Sequence, residues 1–132
     1  MDLQSALGTA NQVLKNAFKS VSDEVQMCIQ NCTTCHQICE QTISHCLEKG
    51  GVHAAPAHIR LLSDCAEICA VSANFMMRGS ALHSTVCAAC AEVCMACADS
   101  CEQMGSSDEM MKACADVCRQ CAESCRKMGA RH

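Results

Sequence analysis

The sequence predicts an all-α chain: an antiparallel four-helix bundle with an additional short N-terminal helix. Three observations carry that reading. Many of the cysteines recur at alternating steps of four and three, as Cys28, Cys32, Cys35, Cys39, then Cys90, Cys94, Cys97, Cys101, then Cys114, Cys118, Cys121, Cys125. An α-helix turns once per ~3.6 residues, so each set falls on one stripe of one helix. Glycines and capping residues punctuate the chain between long helical stretches, and no segment alternates with the period of a strand. A spacing that averages about 3.5 lets each stripe follow the axis of a bundle.

The elements follow in order. Leu3, Leu7, Ala10, Leu14 and Ala17, with Phe18 beside them, form one apolar face, which predicts an accessory helix within residues 1–20 that packs on or caps the bundle. A second helix starts near Ser20 or Ser22, where Asp23 and Glu24 favour an N-terminus. It runs to Lys49 and stops at Gly50-Gly51. Pro56, the only proline, suits the first turn of the next helix, which extends to about Arg78. Ser80 is placed to cap another helix that reaches Met104 and ends at Gly105. Ser106-Ser107-Asp108-Glu109 offers a capping box for the last, which ends near Gly129. Residues 1–132 read as a single domain, with the bundle spanning 22–129.

The last two helices repeat each other. CAEVCMACADSCEQMG (Cys90 to Gly105) matches CADVCRQCAESCRKMG (Cys114 to Gly129) at ten of sixteen positions, so one structural unit is used twice. Cys65-Ala66-Glu67-Ile68-Cys69 opens a degenerate third copy, in which Ser72 and Met76 occupy the later cysteine positions.

Composition narrows the function. Leu, Ile, Val and Phe make up only about a sixth of the chain, so Cys, Met and Ala must supply the buried surface. With 10 Lys and Arg against 14 Asp and Glu, and neither Trp nor Tyr, there is no electrostatic or stacking footprint for nucleic acid. No window approaches ~18 uninterrupted apolar residues, so no membrane partner is expected. Met1-Asp2-Leu3-Gln4 carries no basic region and no long apolar run follows, which reads as cytoplasmic localisation with reduced thiols.

Several uses of sixteen cysteines compete. As plain core residues they would be small hydrophobes, but four matching stripes exceed that need. Disulfides at i,i+3 or i,i+4 are strained and need an oxidising compartment. A thioredoxin-like role for Cys87-Ala88-Ala89-Cys90 lacks its βαβ setting. No thiol sits beside an identifiable base in a cleft, so an enzymatic redox role ranks last and no catalytic residue is assigned. A Zn(Cys)4 site carries a net charge of about −2, so four would bury about −8 on stripes that hold no Lys or Arg. The ferredoxin-type cysteine run is missing. Cu(I) is soft and shares thiolates between neighbouring ions, and each Cu⁺ that replaces a thiol proton leaves the charge unchanged. Many Cu(I) ions per chain is the leading reading. A general soft-metal (zinc) thiol sink and a structural zinc or thiol-redox protein stand as alternatives.

The run of C-x3-C-x2-C-x3-C motifs on successive helices resembles the bacterial copper storage proteins, over roughly residues 22–129. The resemblance implies Cu(I) storage or sequestration without enzymatic activity, in a cytosolic protein that assembles as a homotetramer. Release would be by ligand exchange to an acceptor or copper chaperone. It carries over to Cys28, Cys32, Cys35, Cys39, Cys46, Cys65, Cys69, Cys87, Cys90, Cys94, Cys97, Cys101, Cys114, Cys118, Cys121 and Cys125. His58 falls on the stripe of Cys65 and Cys69 and is added to the metal ligands. It is expected near Cys46, Met104, Met111 and Cys114. His83 extends the next helix's stripe at the opposite end, and with Met76, Met104, Met111 and Met128 it stays open as a ligand. His36, His45 and His53 lie off the stripes or in a loop, and are expected to face solvent. Bundle ends are the expected entrances for copper.

Overall fold

The computed structural model describes residues 2–105 and 107–130. Five α-helices account for most of them: α1 (Leu3–Phe18), α2 (Asp23–Lys49), α3 (Pro56–Met77), α4 (His83–Gly105) and α5 (Glu109–Gly129), with a short 3-10 turn at Gly51–Ala54. Helices α2 to α5 form a ring in which each packs on the next in the chain, and α5 closes back on α2. Residues pair in descending order across adjacent helices, as with Cys28–Cys125, Cys35–Cys118 and Cys39–Cys114. The bundle is therefore antiparallel, as the sequence predicts.

The ends of the helices obey their local chemistry. The Ser22 hydroxyl accepts from the Val25 N–H at 3.3 Å, and Asp108 accepts from the Met111 N–H at 3.0 Å, each satisfying an orphan donor of the first turn. Asp108 alone is thus the cap of α5, and the Ser106 half of the expected capping box lies outside the described residues. Ser80, expected to cap α4, instead forms the turn that precedes it. Its hydroxyl accepts from the Leu82 N–H at 3.1 Å and its carbonyl from His83 at 3.2 Å, so the helix proper begins at His83. Gly50, at φ 71°, ends α2 in a conformation that side chains disfavour. Gly129 serves packing instead: a Cβ there would meet the Ala88 backbone at 2.9 Å, so it allows α5 to approach α4 closely.

Two expectations are set against the structure here. Helix α1 neither packs along the bundle nor caps it, for none of its residues is buried, and Leu3, Leu7 and Leu14 remain exposed. Only Phe18, at its last turn, touches the core. The joint is held by Gln26, whose amide donates to the carbonyls of Phe18 (2.7 Å) and Val21 (2.8 Å). The second concerns α4. Residues His83–Met104 are long and apolar enough, by length and composition alone, to cross a membrane, with a mean hydropathy of 1.2. Cys and Ala produce that value without a continuous apolar run, and the five α4 cysteines are buried against the other helices.

The core they enclose is made of thiols. All sixteen cysteines are buried and none forms a disulfide. Leu62, Met111, Met128 and small alanines fill the remaining space. Outside, Arg119 on α5 bridges to Asp99 (3.0 Å) and Glu102 (2.8 Å) on α4.

Candidate metal centre

A helix that repeats cysteine every three or four residues presents one thiol per turn to the axis. Four such helices in a ring stack those thiols into a column. At the end where α2 begins, Cys28 Sγ lies 3.7 Å from Cys125, and Cys87 lies 3.3 Å from the Ser72 hydroxyl. One turn inward, Cys32 sits 3.4 Å from Cys125 and 3.5 Å from Cys121. Across the axis Cys69 lies 3.7 Å from Cys90 and 3.5 Å from Cys94. At mid-bundle Cys65 meets Cys94 at 3.7 Å, Cys35 at 3.8 Å and Cys118 at 3.9 Å. Further on, Cys39 meets Cys114 at 3.8 Å and Cys118 at 3.9 Å, and Cys97 joins that group. Cys101 borders Cys97 and Cys114.

These contacts resolve into tetrads whose sulfurs all lie within 4.8 Å of one another. Among them are Cys32/Cys90/Cys121/Cys125, Cys69/Cys90/Cys94/Cys121, Cys35/Cys65/Cys69/Cys94, Cys35/Cys39/Cys65/Cys118 and Cys39/Cys97/Cys114/Cys118. A zinc tetrahedron with Zn–S bonds of about 2.3 Å has edges near 3.8 Å, so spacing alone would admit zinc. Sharing decides otherwise: each of these tetrads holds at least two cysteines in common with another. They cannot all be isolated Zn(Cys)4 sites. Thiolates shared along a column are what bridged Cu(I) clusters require.

The column ends at Cys46, where the chemistry changes. His58 is buried, with Nε2 3.6 Å from Cys46 Sγ and Nδ1 2.7 Å from the Ser100 hydroxyl. Its expected neighbourhood with Cys46 is present, Cys114 is close enough to act on it, and Met111 is fully buried on the α5 stripe. Burial holds the His58 imidazole below its ordinary pKa, which keeps a lone pair available as a ligand. Burial and then the Asp108 carboxylate push the Cys46 thiol up.

Within the column the thiols titrate against one another. Contacts from Cys118, Cys121, Cys39 and Cys65 favour the thiolate at Cys35. Contacts with Cys121, Cys32, Cys35 and Cys65 push Cys69 up. One sulfur gives up its proton only where its neighbours keep theirs as S–H donors. Neighbouring thiolates in the column therefore oppose one another, whereas Cu⁺ for H⁺ exchange adds no charge.

His83 stands at the opposite end, half-buried in the first turn of α4, where it acts on Cys87 one turn away. Met76, Met111 and Met128 are buried on their stripes. Two histidines expected to face solvent are engaged instead. His36 Nδ1 lies 3.0 Å from the Ala66 carbonyl, and His45 Nε2 lies 2.7 Å from Asp108 Oδ2. Sequence reasoning also missed Ser100, and it read Asp108 only as part of a helix cap, because neither follows the cysteine spacing.

Four antiparallel helices around an unbroken thiol column define a soft-metal-binding bundle. Residues 21–130 match the family model described as Csp, copper storage protein, and the chain belongs to that family. It is similar to the Nmul_A1745 protein of Nitrosospira multiformis, at 47% identity and TM-score 0.77, covering 83% of this chain and 97% of that one. The Cu(I)-bound copper storage protein BsCsp3 is 35% identical at TM-score 0.76, covering 82% and 100%. A cytosolic copper storage protein from Streptomyces lividans, in a structure with five coppers, is 31% identical at TM-score 0.77, covering 83% and 95%. In sequence alone, the uncharacterized cysteine-rich protein YhjQ of Bacillus subtilis is 38% identical over 67 residues. That match covers 51% of this chain and only 62% of YhjQ.

Proposed function

We propose that this chain stores multiple Cu(I) ions on the thiolates of its core and yields them by ligand exchange. The observation that carries this is the overlap of the tetrads, because shared sulfurs suit bridged Cu(I) and exclude a full set of separate zinc tetrahedra. The ligands are the sixteen cysteines from Cys28 to Cys125, together with His58 beside Cys46. Residues 22–129 act as one storage unit within a single domain, with residues 1–20 as an accessory. The role is storage and not catalysis, since every thiol is packed in the core and none faces a substrate cleft.

A reducing compartment suits sixteen free thiols, so the cytoplasm is the proposed location. The chain works as a homo-oligomer, the tetramer that the family resemblance implies, and the uncovered apolar face of α1 supports an assembly. A copper acceptor or chaperone receives the released ion by thiolate exchange.

Anaerobic titration of the reduced protein with Cu(I) and, separately, with Zn(II) tests the reading. Cu(I) uptake on the order of one ion per cysteine, against roughly a quarter of that for zinc, is the expected result. A Cu(I) endpoint near four per chain would replace shared clusters by isolated sites.

A further inference from the structure

Two apolar features of the surface match each other. The first is the face of α1, where Leu7, Ala10 and Leu14 follow at steps of three and four, and both leucines are more than half exposed. The second is a groove of about 510 Å³ between α3 and α4. Ile68 and Val71 of α3 line it with Val86, Ala89 and Val93 of α4, and Asp64 and Glu67 stand at its α3 edge. Along α4, Val86, Ala89 and Val93 repeat the spacing of Leu7, Ala10 and Leu14. Each set reads large, small, large over the same length of about 10 Å. Laid in the same direction, the two helices bring Ala10 level with Ala89, and small side chains at a contact let two helix axes approach closely.

We propose that α1 of one copy of the chain lies in the α3/α4 groove of a second copy, parallel to α4. The proposal rests on the homo-oligomer reading above and assigns it a surface. Charge sets the direction. Cys94 of α4 is level with Cys65 and Cys69 of α3, at 3.7 and 3.5 Å. In the parallel register Lys15 of the incoming helix falls beside residue 94, and so opposite Glu67. Lys19 falls one turn further on, opposite Asp64. All four side chains are exposed, so the two ion pairs form at the rim without burying charge.

The chain's own α1 does not meet these conditions. Its last turn lies where α3 ends and α4 begins, since Ala17 shares a cavity wall with Met77 and His83. Folded back from that point, α1 would run antiparallel to α4. Lys15 and Lys19 would then lie more than two helical turns from Asp64 and Glu67, and Asp2 would approach Asp64. Like charges would meet where a second copy offers opposite ones. About a two-fold axis the exchange is reciprocal: each groove takes the other chain's α1, and the contact closes on itself.

The test reads association of the full-length, reduced apo-protein by sedimentation equilibrium. K15E/K19E and D64K/E67K should each raise the dissociation constant at least about tenfold. Combining all four reversals should return it to within about threefold of wild type, because the paired charges are then restored with opposite sense. A second measurement involves no charge reversal. The chain has no tryptophan, so Leu7→Trp adds a single fluorescent reporter. Its emission should be blue-shifted in the associated protein and move to the red on dilution. Ala89→Asp, which puts a charge in the groove, should leave it red at every concentration. Reversals that leave association unchanged or fail to compensate one another would overturn the docking. So would Leu7→Trp emission that does not respond to concentration. Either result leaves an oligomer held by other surfaces. A wild-type chain that stays monomeric up to its solubility would overturn the homo-oligomer reading itself.

Discussion

The Nδ1 atom of His58 on α3 is held 2.7 Å from the Ser100 hydroxyl on α4, while its other nitrogen faces Cys46 Sγ at 3.6 Å. The serine fixes the ring plane, and in the tautomer that carries its proton on Nδ1 the hydroxyl accepts that N–H and leaves Nε2 free to bind metal, as partners behind ligating histidines do. Ser100→Ala should therefore act twice. In the apo-protein it leaves a buried ring nitrogen unpaired, costing about 1–3 kcal/mol in denaturant unfolding. In the presence of His58→Ala most of that cost should vanish, because the two residues form one unit. Additive losses in the double variant would show that the bond contributes nothing.

Mid-bundle thiols serve both packing and binding, and substitutions can separate the two. Replacing Cys94, Cys97, Cys118 and Cys121 with alanine should lower the Cu(I) endpoint by at least the four thiols removed. The drop should be greater where a lost sulfur bridged two ions. Alanine favours helix and adds no polar group, so far-UV circular dichroism of the reduced apo-variant should stay strongly helical. Each truncation of a fully buried side chain should cost on the order of 1 kcal/mol. A folded variant with the full wild-type complement would place the copper elsewhere.

Asp108 clamps α5 to the last turns of α2. Its carboxylate accepts from Lys49 Nζ at 2.9 Å, from His45 Nε2 at 2.7 Å and from the Met111 N–H at 3.0 Å, and these bonds hold its pKa below the usual carboxylate range. A carboxyl depressed in the folded state binds its proton more readily when unfolded. Its contribution is complete above the unfolded pKa of about 3.9 and is lost as pH falls through the lower folded value. Stability of the reduced apo-protein should thus decline from about pH 5 downward. Asp108→Asn keeps a capping side chain but removes the charge. It should cost about 1 kcal/mol at neutral pH and flatten the acid limb of the urea-midpoint profile. An unchanged limb would assign the acid sensitivity to other carboxylates.

Much of this was legible because one residue type carries both fold and site. The three-four spacing of Cys28 to Cys39 sets a helix, the face it buries and the donors it offers, so the ring of helices and the thiol column follow together. His58 was legible for the same reason, since it stands on the stripe of Cys65 and Cys69. What did not follow a period was lost. Ser100 reaches His58 from a flank of α4, and the contact between Asp108 and His45 joins residues far apart in sequence on neighbouring helices. Helix α1 shows the opposite failure. Its apolar period is real, but a period says only that one face wants cover, not that the same chain supplies it.

That uncovered face yields the last prediction. Leu3, Leu7 and Leu14 are 53–75% exposed, and among the described residues only Phe18 links α1 to the core. An isolated helix of sixteen residues is marginal in water, gaining most of its stability from packing an apolar face. In the proposed oligomer, neighbouring chains provide that cover. Deleting residues 1–20 removes no cysteine, so the Cu(I) endpoint per chain should be unchanged. The unfolding free energy of the bundle measured at dilute, dissociated concentration should shift by no more than about 0.5 kcal/mol. Sedimentation velocity of the full chain should show an assembly that the truncated chain forms only at higher concentration. If truncation leaves the association state untouched and weakens the monomeric bundle, α1 folds back onto its own chain in solution, and the oligomer is held by other surfaces.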